Sequence, residues 1–182
     1  MRAYCFVDGG HMRATAKRSG KALVDPHALA RNLAYSSFLQ AWRQFDSQGM
    51  SYVGHYHVKI FLDRVNYYDA RPDEDVAASL IEDYWKKIEL LPDTEIGFGA
   101  VRGRPRRQKR VDGLIAVDML EGAFNNLYQV ALLVAADADF VPIVQAVRRR
   151  GVLVAVAASD VGLSDELMRA ADRFRGITRS CV

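Results

Sequence analysis

A chain of 182 residues has room for one ordinary domain and is short for two. Half of it is apolar, which argues against a disordered chain, and no apolar run approaches the length of a membrane span. The 25 Lys and Arg residues against 22 Asp and Glu leave a formal net charge of +3, too small to identify a partner by itself. Cys5 and Cys181 lie at opposite ends of the chain, and Cys5 falls in an apolar run, so a buried reduced thiol is expected and nothing points to a disulfide framework. Met1 to Val7 enters directly into a strand-like run without the layout of a signal peptide, which makes the cytoplasm the expected compartment.

In chain order, Tyr4 to Val7 reads as a buried strand closed by the turn Asp8-Gly9-Gly10. Asp25-Pro26 has the form of an N-cap followed by proline at the first helical position. The spacing of Leu29, Leu33, Phe38, Leu39, Trp42 and Phe45 then predicts one helix running to Gly49. Tyr52 to Leu62 reads as a second strand. Pro72 with Asp73, Glu74 and Asp75 starts a helix whose stripe is Val76, Leu80, Ile81, Tyr84, Trp85 and Ile88. Glu95 to Val101 reads as a strand, Val101 to Arg110 as a basic loop, Val111 to Leu127 as a helix, and Val130 to Ala135 as a continuous apolar strand. A helix through about Arg149, a stop at Gly151, a strand over Val152 to Ala157 and a last helix over Ser164 to Phe174 complete the chain. Strands that are apolar throughout and alternate with helices indicate an α/β fold, a parallel sheet covered on both faces in three layers. With no composition break and no repeat, residues 1–182 are expected to form a single domain.

In such folds ligands bind beyond the carboxyl ends of the strands, where the strand order switches. Asp8 follows the first strand directly, and Asp137 and Asp139 follow the strand ending at Ala135. If those strands are neighbours, three carboxylates converge there. Asp112 opens the helix after the basic loop, with Asp118 further along it. Gathered carboxylates repel and raise one another's pKa, a penalty that a hard divalent cation removes. Each acid also has a plainer reading: Asp137, Asp139 and Asp112 as helix caps, Asp8 as a turn former, and Asp118 as a solvated residue about 120° around the helix from Asp112.

The positive charge is concentrated beside these acids. Arg102, Arg104, Arg106, Arg107, Lys109 and Arg110 lead straight into Asp112, as a phosphate-binding segment beside a metal centre would. Arg13, Lys17, Arg18 and Lys21 follow Asp8 and are candidates for the same mouth. Arg148, Arg149 and Arg150 read as a charged helix end. Tyr67, Tyr68 and Arg71 read as rim packing or as planes on which unpaired bases stack. His55 and His57 would share one side of a strand, but no partner set with zinc-ligand spacing accompanies them, and His27 reads as a surface residue at a helix start.

Lys109-Arg110-Val111-Asp112, then Asp118, then Ala135-Ala136-Asp137-Ala138-Asp139-Phe140-Val141-Pro142, together with Val7-Asp8-Gly9-Gly10, resemble the NYN domain family of the PIN-like nuclease superfamily. The likeness is weakest from about residue 20 to 100. It implies a Rossmann-like fold with a central, mainly parallel sheet and a ribonuclease site using Mg²⁺ or Mn²⁺. Asp8, Asp112, Asp137 and Asp139 match the family's catalytic, metal-holding acids, and Asp118 matches a further acid. The sequence departs from the family at His11, where asparagine is usual, and at Ala135, where serine or threonine is common. Three functions compete on these grounds: an RNA-cutting enzyme, a regulatory RNA-binding protein of the same fold that has lost turnover, and a phosphatase, because Asp137-Ala138-Asp139 after a strand resembles the nucleophile loop of haloacid-dehalogenase-like enzymes. The phosphatase lacks a placeable Lys and Thr/Ser motif. No membrane partner is expected, and a homodimer stands as an open expectation.

Overall fold

The computed structural model describes residues 1–20, 24–36, 39–46, 49–57, 60–71, 78–102, 107–109, 111–159 and 162–177. Nine strands and six α-helices occur among them: β1 (Arg2–Asp8), α1 (Gly9–Arg18), α2 (Pro26–Ser36), β2 (Leu39–Asp46), β3 (Gly49–His57), β4 (Phe61–Arg71), α3 (Ala78–Glu89), β5 (Thr94–Arg102), β6 (Arg107–Lys109), α4 (Val111–Phe124), β7 (Val130–Val134), α5 (Val141–Arg149), β8 (Leu153–Ala158), α6 (Asp165–Ala170) and β9 (Arg173–Gly176). A 3₁₀ turn, Ala138–Phe140, precedes α5.

Seven strands form one sheet in the order β6-β5-β4-β1-β7-β8-β9, six of them parallel and the short edge strand β6 antiparallel. The chain builds outward from β1 to β4 and β5, then returns to build β7, β8 and β9 on the other side. Because parallel crossovers are right-handed, this reversal sends the two sets of helices to opposite faces. Met12 and Ala16 of α1, Leu29 and Leu33 of α2, and Tyr84, Trp85 and Ile88 of α3 are buried on one face. Val111, Ile115 and Met119 of α4, Val144 and Val147 of α5, and Leu167 of α6 are buried on the other. Strand β7 is buried at every position, which is why its sequence, Val-Ala-Leu-Leu-Val, shows no alternation.

Three stretches depart from the sequence reading. The helix predicted to reach Gly49 stops at Ser36, and Leu39–Asp46 and Gly49–His57 pair as the antiparallel strands β2 and β3 in a sheet of their own. An irregularity in the pairing between Trp42 and Arg43 breaks the period of two, so the apolar spacing imitates a helix. The second strand of the main sheet is not residues 52–62 but β4, where Asp63, Arg64, Asn66 and Asp69 interrupt the apolar pattern. The last helix ends at Ala170, and Arg173–Gly176 pairs with β8 as a seventh strand. Asp172 makes this turn: its N–H donates to the Val154 carbonyl at 2.9 Å, and its Oδ2 accepts from the Val154 N–H at 2.8 Å. The acidic helix start at residues 72–77 lies outside the described residues, and α3 is described from Ala78.

Candidate metal and nucleic-acid site

Strands β1 and β7 are neighbours, with Val7 opposite Val134, so the residues following each emerge side by side at the switch point. Phe6 belongs to the α4 side of the core and Val7 to the α1 side. Alternation therefore turns Asp8 toward α4, where Asp112 occupies the first turn. Asp8 also caps α1: the N–H groups of Gly10 and His11 donate to its Oδ1 at 2.8 and 3.2 Å. Burial pushes the Asp8 carboxyl up to about 6, with the charges of Asp112 and Asp69 adding to the rise and the two backbone hydrogen bonds opposing it. The Asp112 carboxyl is raised by partial desolvation and then by the charges of Asp137 and Asp139. Asp112 thus links the acid after β1 to the pair after β7.

Asp137 and Asp139 are exposed. Asp137 caps the 3₁₀ turn, accepting the Asp139 N–H on Oδ1 at 3.0 Å. The capping role is therefore realised, and β1 and β7 are the neighbours that convergence of the acids requires. Among the residues whose side chains are described, no cation pairs with Asp8, Asp112, Asp137 or Asp139. The donor set, all carboxylate oxygen, suits a hard cation such as Mg²⁺ or Mn²⁺. No group of three or more His, Cys, Asp or Glu among the described residues stands close enough to hold an ion by direct ligation alone. A spread set of this kind fits an ion that keeps part of its water shell and meets only one or two carboxylates directly.

Asp118 is not brought to this edge. It lies six residues beyond Asp112, about 9 Å along the helix axis, and its Oδ2 accepts the Tyr68 hydroxyl at 2.7 Å. With Tyr4, Phe6, Arg64, Asn66, Glu95, Glu121 and other residues it lines a cavity of about 210 Å³. Tyr67 and Tyr68 are buried within β4 and are core rather than rim.

Two polar arrangements beside Asp8 escaped the sequence reading. Asp69, one residue past the level of Asp8 on β4, is completely buried. It accepts hydrogen bonds from the Arg13 guanidinium, Trp85 Nε1 at 3.0 Å, the Ala70 N–H at 2.7 Å and the Tyr67 hydroxyl at 3.4 Å. Arg13, a candidate RNA contact, is committed to this ion pair. An acid ending the run Tyr67-Tyr68-Asp69 was the available signal. His11, at the position where the family usually has asparagine, accepts the Ser159 N–H on Nε2 at 3.3 Å, and burial holds its ring below the ordinary imidazole range. Thr15 Oγ1 lies 2.9 Å from Ser159 Oγ. These bonds tie α1 to the end of β8.

Lys17 and Arg18 are exposed in the last turn of α1, about 13 Å along its axis from Asp8 rather than beside it. Asp8, Tyr68 and Gly97 share one level across the sheet, and β5 runs five residues further, to Arg102. That extension, about 16 Å of strand, projects past the carboxyl edge. Arg107 and Lys109 return along it in β6, Arg102 opposite Arg107, and the chain then enters α4. Arg104, Arg106 and Arg110 lie outside the described residues, as does Lys21. Elsewhere Arg148 pairs with Asp172 at 2.7 Å, and the Arg150 guanidinium lies over the Phe124 ring at 4.7 Å, as a charged helix end would. No helix among the described residues is long and apolar enough to cross a membrane.

A solved protein of unknown function from Vibrio parahaemolyticus shares the fold, with a TM-score of 0.63 and 17% identity over 97% of this chain and 93% of that one. No curated protein matches the chain. The family model described as the NYN domain matches residues 2–178, nearly the whole length. The chain belongs to the NYN domain family, a PIN-like nuclease family.

Proposed function

We propose that the protein is a metal-dependent endoribonuclease acting as a single domain, with Asp8, Asp112, Asp137 and Asp139 holding Mg²⁺ or Mn²⁺. The observation that carries this reading is the placement of the four acids at the switch point, where the charge of Asp112 bears on Asp8 and those of Asp137 and Asp139 bear on Asp112, with no cation paired to them among the residues whose side chains are described. When bound, the ion supplies water activation and neutralises charge on the phosphodiester. The chain's own residues do the rest. Asp8 and Asp137 each have Oδ1 held by backbone N–H, two for Asp8 and one for Asp137, which fixes their carboxylates in place to serve as residues that would hold the ion. Strands β5 and β6 carry Arg102, Arg107 and Lys109 beyond the carboxyl edge, and this position in the sequence and sheet favours a phosphate backbone running past the acids.

A second reading, an RNA-binding regulator of the same fold without turnover, is favoured by the spread of the acids and by Ala135, a buried position with no hydroxyl to orient a carboxylate or water. End-labelled single-stranded and hairpin RNA, incubated with Mn²⁺, Mg²⁺ or EDTA, separates the two. Cleavage that requires metal and disappears in Asp112→Asn is the expected result. Absence of cleavage with RNA binding retained would establish the regulator instead, and turnover of a small aryl phosphate in its place would mark a phosphatase.

A further inference from the structure

We propose that Lys17, Arg18, Arg173 and Arg175 form a second phosphate-contact band that carries an RNA strand away from the carboxylate edge along the α1 side of β9. The inference rests on the reading that RNA is the substrate and adds where the strand goes after it leaves the acids. The geometry begins with α1. His11 and Thr15 are both held to Ser159, the residue directly after β8, so one flank of α1 faces the β8 side of the sheet, while Arg13 on the other flank reaches Asp69 on β4. Lys17 and Arg18 follow Thr15 within one turn and are exposed. The next strand out is β9, with Arg173 opposite Ala155 and Arg175 opposite Ala157. Phe174 packs into the core on the α4–α6 face. Alternation therefore sends Arg173 and Arg175 to the α1 face, where Ala155 and Ala157 also lie, and both arginines are exposed.

The charges here are uncompensated. Arg13, Arg64, Lys86, Arg148 and Arg169 each have a carboxylate partner. Among the described residues Lys17, Arg18, Arg173 and Arg175 have none, and Arg173 makes only a bond to its neighbour's carbonyl, Asp172 O, at 2.7 Å. Cations at the end of a helix are stabilised by its dipole, and charges on an edge strand discourage strand addition. Either effect would account for one pair alone. Neither by itself accounts for two unpaired sets, from segments more than 150 residues apart, on the same face of the sheet. A polyanion relieves the repulsion between them.

The test is RNA binding in EDTA, which suppresses metal-dependent cleavage, using single strands of roughly 8 and roughly 24 nucleotides, lengths that bracket the site size of common single-strand grooves. Arg173→Gln/Arg175→Gln and Lys17→Gln/Arg18→Gln are compared with the parent across a salt series. For the longer strand, each double variant is expected to flatten the slope of log K against log salt by about 1.4, two contacts at about 0.7 each for single strands. The shorter strand, seated at the acids, keeps its slope. An unchanged slope for the longer strand in both variants overturns the band, as does an equal loss for both lengths. Failure of the parent to bind either strand, in EDTA and also with Ca²⁺ supplied in its place, overturns the RNA reading itself, a result distinct from these.

Discussion

Tyr68 donates its hydroxyl hydrogen to Asp118 Oδ2 at 2.7 Å, on the α4 side of the sheet and away from the carboxylate edge. Tyr68 is 2% exposed, and burial together with the Asp118 charge keeps its hydroxyl protonated well above the ordinary tyrosine range. Asp118→Asn retains an acceptor and is expected to leave RNA cleavage within a few-fold of the parent. Asp118→Ala orphans the hydroxyl and should cost about 1 kcal/mol of stability. Parallel cleavage and urea-denaturation assays check both. Loss of cleavage in Asp118→Asn as complete as in Asp112→Asn would place Asp118 among the working acids.

The Asp8 carboxyl gives a pH dependence with a definite sign. Its folded pKa, about 6, stands above the ordinary 3.8. The contribution is therefore fully present below about pH 4 and is lost as pH rises through about 6. Relative to Asp8→Asn, which does not titrate, the metal-free parent should lose up to about 3 kcal/mol across that window. His11 works in the opposite sense, because a lowered imidazole pKa weakens the fold as pH falls below its ordinary 6.5. The comparison is best made in the His11→Asn background, with denaturation midpoints measured at intervals of pH.

Divalent cations should reverse the cost of ionising the acids. Mn²⁺ added to the parent at about pH 8 is expected to raise Tm in proportion to RT ln(1 + [L]/Kd), and to raise it less at about pH 5, where protons compete. Asp112→Asn should abolish the shift. A shift of equal size in that variant would locate the ion elsewhere.

Arg13 and Asp69 lock the start of α1 to the end of β4. Arg13→Met leaves a completely buried carboxylate without its cation and should cost about 3 kcal/mol or more. Its effect on the salt dependence of RNA binding should be small, since the guanidinium is already engaged. A normal melting temperature with a reduced salt slope would reverse that assignment.

Gly9 admits no side chain. A Cβ there would lie 2.6 Å from the Tyr67 hydroxyl oxygen and 2.7 Å from the Tyr68 carbonyl oxygen. The second of these is backbone and cannot swing aside. Gly9→Ala is expected to cost roughly 1–3 kcal/mol and to disturb the Asp8 cap, seen as a lower Tm together with a larger loss of metal-induced stabilisation than a distant destabilising variant produces.

The sequence disclosed those parts of the fold in which a strand is buried on both faces. Val130–Val134 and Leu153–Ala158 are continuous apolar runs, and the places of Asp8 after β1 and of Asp137 and Asp139 after β7 were read from strand order. Strand β4 was misplaced because its charged residues make hydrogen bonds and ion pairs that no periodicity displays, Arg64 with Glu95 at 2.9 Å and Asp69 with Arg13. Strand β9 was hidden because Leu167, Ala170, Ala171 and Phe174 continue a helical spacing beyond the real helix end. His11 could be read only as a departure from the family, since its partner lies 148 residues away.

The central position of β1 has a consequence for synthesis on the ribosome. Its two neighbours, β4 and β7, begin about 60 and about 130 residues after it. The first acid of the site leaves the ribosome about 120 residues before the strand β7 that comes to lie beside it, and cannot be positioned until that strand has followed. A nascent fragment ending before Val130 would carry Asp8 and Asp112 but not the strand that completes their surroundings. Loop closure over such separations is slow, and the acids acquire their mutual repulsion only in the final stage of folding.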